Sequence, residues 1–469
     1  MSKGPFKQTK IIASLGPASD SPKIVEQLIA SGANGVRLSF SHGFQAEHGQ
    51  RIVWARAASR KLNKPVAVIA DLQGPKIRLG DLPPDGVELK VGSDVRFAYR
   101  ADYEKTGILP IQYDFSKNIK VGEIIYMWDG KLQAHVTAVR DGLITAQVVV
   151  GGRLTSRKGI NLPDTDLGGD IMTTKDLLDV KYAASQDCDY IALSFVQRAA
   201  DVERLRKYLR KLGSDMQIIA KIETPMALKN IDEIIQASDG VMVARGDLAI
   251  EAGAEVVPVM QRKITGLTRK YRKFVIIATQ MMASMVDSPI PTRAEVSDIA
   301  TAAITGVDCV MLSDETNNGK YPVEAVKTMK RVLAYTEENM PVTAVYADQE
   351  GVAARAPLSA AAVTLAHTLG AAMLIAETKS GETALNLSDM RPTVPIIVAT
   401  PDHRVAQKLA IVYACRSYYI KNTKMAASEA IKLVEKEKRL VKGQKAVLVY
   451  GYGPEHGSMT DTIRIYEAN

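Results

Sequence analysis

The chain has 469 residues, 46% of them hydrophobic and 24% charged, and this length exceeds what one hydrophobic core supports. No apolar run approaches the roughly 18 residues of a membrane span, and the segment MSKGPFKQTK lacks the apolar centre of a signal peptide. The three cysteines, Cys188, Cys309 and Cys415, form neither a disulfide framework nor a metal-binding spacing. We therefore expect a soluble, cytoplasmic protein of roughly two to four domains that does not bind membranes.

The net charge of +8 would suit a nucleic-acid-binding protein. The basic residues are dispersed, however, aromatic content is only 6%, and no RNA- or DNA-binding motif is present, so we expect no nucleic-acid partner. Sites for phosphorylated small molecules account for the charge equally well. The densest basic run, Lys436–Lys445, follows a helical pattern and is interpreted as a solvated helix end.

Eight short apolar runs alternate with helical segments along most of the chain. Helix-start signals include Ser21-Pro22 and the capping-box pair Thr292 and Glu295. The pattern predicts a (β/α)8 TIM barrel over 1–71 and 170–339, with its site at the carboxyl ends of the strands. The predicted strands are Lys10–Ser14, Gly35–Leu38, Val66–Ala70, Tyr190–Leu193, Gln217–Ala220, Val241–Ala244, Val275–Ala278 and Cys309–Leu312.

Two further regions interrupt or follow this rhythm. Residues 72–169 contain short strand-like runs with Gly and Pro punctuation, entered at Gly74-Pro75 and left through Leu162–Gly169, which predicts an inserted β-rich lid domain. Residues 340–469 return to alternating apolar runs and helical segments, including Ala354–Thr368 and Ala426–Lys438, and predict a separate α/β unit.

Polar residues stand at the ends of the predicted barrel strands. Two of these strands end in Lys221-Ile222-Glu223 and in Arg245-Gly246-Asp247, where charge is costly unless it has a partner. Two carboxylates and a lysine at neighbouring strand ends could hold a divalent metal beside an anionic oxygen. The full set is Arg37, Ser39, Ser41, His42, Asp71, Ser194, Lys221, Glu223, Arg245, Asp247, Thr279, Ser313 and Glu315.

A set of motifs in the same order resembles the pyruvate kinase family. These are TKIIASLGPAS, VRLSFSHG, DLQGPKIR, RKGINLP, AKIE, VMVARGDL, ATQMMASM, PTRAEVSDIA and MLSDET. The resemblance implies a TIM barrel with an inserted β-barrel lid and a C-terminal α/β regulatory domain, and it implies assembly into a homotetramer. It also implies transfer of a phosphoryl group from phosphoenolpyruvate to ADP, giving pyruvate and ATP.

Residue roles follow from the resemblance. Glu223 and Asp247 are expected to bind Mg²⁺ or Mn²⁺, while Lys221 and Arg37 hold the phosphoryl group that moves. Phosphoryl transfer needs positioning and positive charge more than covalent chemistry, which suits these side chains.

The same resemblance assigns the remaining catalytic positions. The backbone N–H groups of Gly246 and Asp247 are expected to hold the substrate carboxylate, and Thr279 to position a water chain near the carbon that accepts a proton. Ser194 and Glu315 are interpreted as supports of the site.

Three residues match family positions on the nucleotide side. Arg78 and Lys158, one on each side of the hinge, are expected to meet the nucleotide phosphates, with His42 at the edge of that site. As a bare sequence feature, His42 would more often be a structural histidine.

One departure concerns the family's monovalent-cation site, which draws on the positions of Ser39, Ser41, Asp71 and the backbone carbonyl of Leu72. Potassium-dependent members have Asn where this chain has Ser39, and Glu where it has Lys76. Since a lysine ammonium carries the same single charge as K⁺, we predict that Lys76 replaces the ion and that K⁺ is not required. The alternative is an exposed lysine without a role.

Other departures have no assigned effect. Trp128 replaces the first acid of the usual Asp-Asp-Gly turn, although Asp129 keeps the second, and Ala249 and Asp314 stand where the family prefers smaller residues.

The segment TKSGET, Thr378–Thr383, resembles the family's phosphate-holding loop for a sugar-phosphate or nucleotide effector. Its hydroxyls and the backbone around Gly381 suit an anion, whereas Glu382 opposes one. A Ser/Thr/Gly turn that opens a helix is otherwise most often a cap. The expected effector residues are Thr378, Lys379, Ser380, Gly381 and Thr383.

Two alternatives to this enzyme remain. A lyase that forms pyruvate enolate on the same barrel would use a similar metal pair, but would need no nucleotide lid with Arg78 and Lys158. A non-catalytic sensor of phosphorylated metabolites would depend on the C-terminal unit, against which the retention of Lys221, Glu223 and Asp247 argues.

Overall fold

A computed structural model describes residues 6–165, 171–342, 356–421, 426–451 and 460–469. Its first unit is a closed barrel of eight parallel strands, as the apolar runs predict. These strands are buried almost throughout, which explains their near-continuous apolar sequences. The barrel strands are β1 (Lys10–Leu15), β2 (Gly35–Ser39), β3 (Ala67–Asp71), β13 (Tyr190–Leu193), β14 (Gln217–Ile222), β15 (Gly240–Ala244), β16 (Phe274–Ala278) and β17 (Cys309–Leu312).

Helices surround the barrel. Ser21 caps the first of them through its hydroxyl, and Thr292 and Glu295 form the capping box that the sequence predicts. The helices of this unit are α1 (Pro22–Ser31), α2 (Gln45–Lys61), α4 (Thr174–Ser185), α5 (Ala199–Lys211), α6 (Pro225–Lys229), α7 (Ile231–Ala237), α8 (Arg245–Ala252), α9 (Val256–Lys270), α10 (Arg293–Ile304), α11 (Asp314–Asn317) and α12 (Pro322–Asn339).

The insertion after β3 is a mostly antiparallel sheet with its own apolar core. A bridge between Leu79 and Ile111 joins its two edges, which makes the sheet barrel-like. Its elements are β4 (Ile77–Arg78), β5 (Val87–Leu89), β6 (Asp94–Tyr99), α3 (Tyr103–Thr106), β7 (Leu109–Ile111), β8 (Ile124–Met127), β9 (Leu132–Arg140), β10 (Leu143–Val150), β11 (Gly152–Leu154) and β12 (Gly159–Asn161).

The C-terminal unit is a five-stranded sheet in the order β20-β19-β18-β21-β22, with only β22 antiparallel to its neighbour. Its elements are α13 (Pro357–Thr368), β18 (Met373–Glu377), α14 (Glu382–Asp389), β19 (Ile396–Thr400), α15 (His403–Lys408), β20 (Cys415–Tyr419), α16 (Ala426–Lys436), β21 (Lys445–Tyr450) and β22 (Thr462–Glu467).

The C-terminal unit packs against the amino ends of the barrel strands. Ile411 belongs to the apolar cluster inside the barrel, and its backbone carbonyl accepts a hydrogen bond from Cys309 Sγ at 2.9 Å. A Cβ at Gly35 would lie 2.9 Å from Ile411 Cγ2, so glycine is needed there for this close approach. Ile411 therefore closes the end of the barrel opposite to the predicted site.

The exact domain bounds stay predictions. The end of the expected junction Leu162–Gly169 and the beginning of the expected helix Ala354–Thr368 lie outside the described residues. All three cysteines are buried and unpaired. Within the described ranges, no helix is long and apolar enough to cross a membrane.

Candidate functional site

Two adjoining clefts lie at the carboxyl ends of the barrel strands, facing the insertion. The first, of about 470 Å³, brings together most of the predicted residues. The second, of about 820 Å³, shares Lys76 and Asp247 with the first and extends to Thr279 and to Asp129 of the insertion. The predicted residues that line the first cleft are Arg37, Ser39, Ser41, His42, Lys76, Arg78, Ser194, Lys221, Glu223 and Asp247.

A buried cluster of four charges forms the floor of the first cleft. Arg37 Nε donates to Asp71 Oδ2 at 2.7 Å. Lys221 Nζ lies 3.3 Å from Asp71 Oδ1 and 3.0 Å from Glu223 Oε1. These groups come from the ends of β2, β3 and β14, and both carboxylates are only 1% exposed. Each buried charge thus faces an opposite one, which is the condition for keeping it ionised.

The pKa values of the cluster reflect this pairing. Burial alone would raise the pKa of Asp71, but Lys221 and Arg37 hold it below its usual value. Burial alone would lower the pKa of Lys221, but Asp71 and Glu223 raise it above its usual value. Burial raises the pKa of Glu223, which Lys221 only partly opposes. Lys221 is therefore a permanent cation in this protein.

Glu223 and Asp247 fit the expected divalent ion. Glu223 Oε2 accepts from the backbone N–H of Phe195 at 2.6 Å, which orients the carboxylate. No group of three or more His, Cys, Asp or Glu side chains among the described residues could enclose a metal. Two carboxylates with room for substrate oxygens match the way Mg²⁺ is bound in phosphoryl-transfer sites, where substrate supplies further ligands.

The residues of the expected monovalent-cation site contact other groups. Arg37 Nη2 lies 3.3 Å from Ser39 Oγ, and the carbonyl of Leu72 accepts from Ser194 Oγ at 2.8 Å. Lys76 Nζ donates to Asp247 Oδ1 at 3.0 Å. Lys76 thus contacts the expected metal ligand, in the cleft that Ser39 and Ser41 also line. Its replacement of K⁺ stays a prediction.

Thr279 occupies a strained position at the end of β16. Its φ is +67°, which is costly for a β-branched residue, and such strain clusters at functional sites. Arg245 stabilises this conformation, because its Nη2 donates to the Thr279 carbonyl at 2.7 Å while its Nη1 donates to both carboxylate oxygens of Asp298. The N–H of Gly246, which we expected to hold substrate, donates to Thr279 Oγ1 at 2.8 Å. Thr279 and the first turn of α8 are therefore coupled.

The two residues interpreted as supports have distinct contacts. Ser194 Oγ accepts from Lys221 Nζ at 2.6 Å and so helps to position this ammonium. The Glu315 carboxylate accepts from the backbone N–H groups of Met282, at 2.9 Å, and Ser313, at 2.7 Å. Glu315 therefore joins the loops that follow β16 and β17.

The nucleotide-side residues lie on the insertion and at its edge. Arg78 lies in β4, and Lys158 immediately precedes β12, whose first residue Gly159 pairs with Arg78. Lys158 Nζ lies 4.9 Å from the centre of the Trp128 ring, and Lys131 Nζ lies 4.3 Å from it. Trp128, whose effect the sequence left open, thus makes cation–π contacts with an expected nucleotide residue.

His42 lies where the cleft meets these residues. Burial, assisted by Arg78 and Arg37, lowers the pKa of His42 and favours a neutral imidazole.

Sequence reasoning missed two residues that connect the insertion with the barrel. Asn161 Nδ2 donates to Glu251 Oε1 at 2.7 Å, and burial raises the pKa of Glu251 to about 7. The sequence carried a signal for each of them. Asn161 belongs to the quoted motif RKGINLP, and Glu251 stands four residues after Asp247, on the same helical face.

The expected effector loop has internal hydrogen bonds. The N–H of Gly381 donates to Thr378 Oγ1 at 2.9 Å, and Thr383 Oγ1 lies 2.7 Å from Thr460 Oγ1. Gly381 has a φ of +96° and directly precedes α14. These contacts suit the capping interpretation and leave effector binding a prediction.

Comparison with known proteins agrees with the fold. Residues 6–326 match the family model described as pyruvate kinase, barrel domain, and residues 357–466 match that of pyruvate kinase, alpha/beta domain. The chain is 38% identical to "Pyruvate kinase 2" of Synechocystis sp., over 98% of this chain and 79% of the relative. It is 37% identical to a pyruvate kinase of Agrobacterium vitis, over 98% of this chain and 97% of the relative. It is 35% identical to a pyruvate kinase of Thermotoga maritima, over 99% of this chain and 100% of the relative. The chain therefore belongs to the pyruvate kinase family of phosphotransferases.

Proposed function

We propose that this chain transfers the phosphoryl group of phosphoenolpyruvate to ADP, giving pyruvate and ATP. The observation that carries the proposal is the buried cluster of Arg37, Asp71, Lys221 and Glu223 beside Asp247. Two cations, Arg37 and Lys221, thus lie beside Glu223 and Asp247, the two carboxylates that we propose as metal ligands. The adjacent lid contributes further positive charge for a nucleotide.

The roles follow from the contacts. Lys221, held by Asp71, Glu223 and Ser194, stabilises the charge of the phosphoryl group as it moves, and Arg37 binds the same group. A Mg²⁺ or Mn²⁺ ion on Glu223 and Asp247 would neutralise charge on the phosphoryl oxygens. Such positioning before reaction is where most of the acceleration arises.

Carboxylate binding and proton delivery complete the reaction. The first turn of α8, including the N–H groups of Gly246 and Asp247, offers donors and a positive dipole end for the substrate carboxylate. The hydroxyl of Thr279, which the strained backbone turns toward Gly246, positions a proton-carrying water near the enolate carbon. Arg78, Lys158 and His42 bind the ADP phosphates as the lid closes.

The test is ATP formation from phosphoenolpyruvate, ADP and Mg²⁺, with the Lys221→Met enzyme compared with the native one. We expect kcat to fall at least about 10³-fold, since a charge aimed at the transition state is lost. Binding of Mn²⁺ should change by only a few-fold. Lys229→Met, an exposed lysine shortly after β14, is the matched control and should retain activity. Undiminished turnover of Lys221→Met would remove Lys221 from the mechanism. Formation of pyruvate and inorganic phosphate without ATP would mean that water, and not ADP, accepts the phosphoryl group.

We further propose that Lys76 makes the enzyme independent of K⁺. In support, Lys76 lines the same cleft as Ser39 and Ser41, and a shift from Asp247 upon metal binding would free its ammonium for them. Native activity should be equal in KCl and in a tetramethylammonium salt of the same ionic strength. The double variant Ser39→Asn/Lys76→Glu should become K⁺-dependent. Native activity that rises steeply with KCl would contradict the proposal.

We also propose a homotetramer with a sugar-phosphate or nucleotide effector on Thr378–Thr383. The family resemblance supports both, and the loop lies directly before α14, whose N-terminal end carries the positive end of the helix dipole. The oligomeric state of the protein can be measured by sedimentation. Loss of effector response in Thr378→Val, with basal activity kept, tests the loop.

A further inference from the structure

A second polar cavity lies at the opposite end of the barrel, where the C-terminal unit packs against the amino ends of the strands. It has a volume of about 300 Å³. Lys10 opens β1, and Arg416 lies in β20, so the walls of the cavity come from both units. Six cationic side chains line it: Lys7, Lys10, Lys64, Lys330, Arg416 and Arg439.

No carboxylate is among the described residues that line this cavity. Lys10 and Lys64 instead donate to backbone carbonyls. Lys10 Nζ contacts the carbonyl of Cys415 at 2.7 Å, and Lys64 Nζ contacts those of Ile29 and Ala33 at 2.8 Å each. Carbonyls orient an ammonium without cancelling its charge, so most of the positive charge is left for another group to balance.

The few acidic groups nearby compensate only part of this charge. Arg416 Nη2 and Arg439 Nε share one oxygen of Glu437, at 2.9 and 3.0 Å. Glu337 accepts from the backbone N–H groups of Gln8 and Thr9. Lys330 has no ion pair with any described carboxylate.

The excess of positive charge affects the pKa values of the lysines. Lys10 is only 2% exposed, and its burial lowers its pKa to about 8. Burial also lowers the pKa of Lys64 to about 7, assisted by repulsion from Lys330, Arg416 and Lys10. An anion bound inside the cavity would favour the charged form of both lysines and so oppose the lowering of their pKa values.

We propose that this basic cavity binds a compact anion that carries at least two phosphate groups. Cations stand on both walls, so one ligand can contact the barrel and the C-terminal unit together. The volume lies at the small end of the range for ligand pockets, which excludes a nucleic acid and suits a small molecule. Two phosphates provide the charge and the acceptor oxygens that six clustered cations can share.

This site is independent of the catalytic cleft and of the loop at Thr378–Thr383. A bound polyanion would join β1 to β20 by ion pairs, and would therefore stabilise the contact between the two units. Because it binds only the folded protein, it should raise the unfolding temperature.

The experiment is calorimetric titration of the full protein with pyrophosphate, without Mg²⁺ and at about 0.1 M KCl, where surface charges are screened. We expect one saturable site per chain that also takes up protons, with weaker binding of inorganic phosphate. The variant Lys330→Gln/Arg439→Gln should bind pyrophosphate at least tenfold more weakly. The control Lys432→Gln/Lys436→Gln removes two exposed charges of α16 and should bind like the native protein.

Three results would overturn the proposal: no saturable binding of pyrophosphate or tripolyphosphate, unchanged affinity in the cavity variant, or equal affinity for phosphate and pyrophosphate. Displacement by phosphoenolpyruvate together with unchanged affinity in the variant would assign the binding to the cleft. The single variant Lys330→Gln, which leaves the Arg439–Glu437 pair in place, provides the same test if the double variant folds poorly.

Discussion

The chain has two clusters of buried cations at opposite ends of one barrel, and they are balanced differently. In the catalytic cleft, Arg37 and Lys221 both face Asp71, and Lys76 faces Asp247. In the basic cavity, Lys10 and Lys64 donate to backbone carbonyls. The first cluster contains its own counter-charges, whereas the second requires them from elsewhere.

The difference appears in the pKa values of three lysines, of which Lys10 is buried and Lys64 and Lys221 are partly buried. Burial acts to lower each of them, yet Asp71 and Glu223 raise the pKa of Lys221, while those of Lys10 and Lys64 stay low. Counter-charge, rather than depth, thus decides whether a buried lysine keeps its proton. A cluster that contains its own counter-charges is organised before the substrate arrives. A cluster without them gains more stability when an anion binds.

Asp71→Asn would convert the balanced cluster into an unbalanced one and has the largest expected effect. It leaves Arg37 and Lys221 with one fewer buried partner, so we expect the free energy of unfolding to fall by about 3 kcal/mol at pH 7. We also expect kcat to fall at least about 10²-fold, because both cations lose their positions. Urea unfolding and steady-state kinetics measure the two effects.

The pH dependence tests the electrostatic cause of that loss. Because Lys221 and Arg37 hold the pKa of Asp71 below its unfolded value, its stabilisation is present above about pH 4 and is lost as the pH falls through the folded pKa. The difference between native and Asp71→Asn should therefore shrink in acid. Asp314→Asn, an exposed carboxylate of the same cleft, is the control. A difference independent of pH would contradict the electrostatic explanation.

Trp128→Leu tests a cation whose partner is an aromatic ring instead of a carboxylate. Loss of the cation–π contact should free Lys158 and raise the KM for ADP about two- to fivefold, from roughly 0.5–1 kcal/mol. Trp128→Phe keeps an aromatic face and should lie closer to the native value. Equal KM values for the Leu and Phe variants would show that the ring charge distribution is unimportant.

Much of the fold could be predicted because barrel strands are buried on both faces and therefore apolar along their length. The strand predicted at Val275–Ala278 is observed at Phe274–Ala278, and the capping box of Thr292 and Glu295 forms as predicted. Both signals are local, since they depend on neighbours within one strand or one helical turn.

The partners of charged residues could not be predicted in this way. Lys76 meets Asp247 across 171 positions, and Lys10 meets the carbonyl of Cys415 across 405. The interpretation of Lys436–Lys445 as a solvated helix end was wrong for Arg439, which pairs with Glu437 and lines the basic cavity. No local pattern encodes such contacts, because they arise only when separate units pack together.

Lys330→Gln has the smallest expected effect and the opposite sign. In buffer without phosphate, removing one repelling cation should raise the pKa of Lys64 and increase the free energy of unfolding by about 0.5 kcal/mol. Lys327→Gln, on the same helix α12, instead breaks an ion pair with Glu324 and should be neutral or slightly destabilising. Urea midpoints at pH 7 compare the two variants. If Lys330→Gln were the less stable one, the cavity cations would already be compensated in the free protein, and the contrast between the two ends of the barrel would fail.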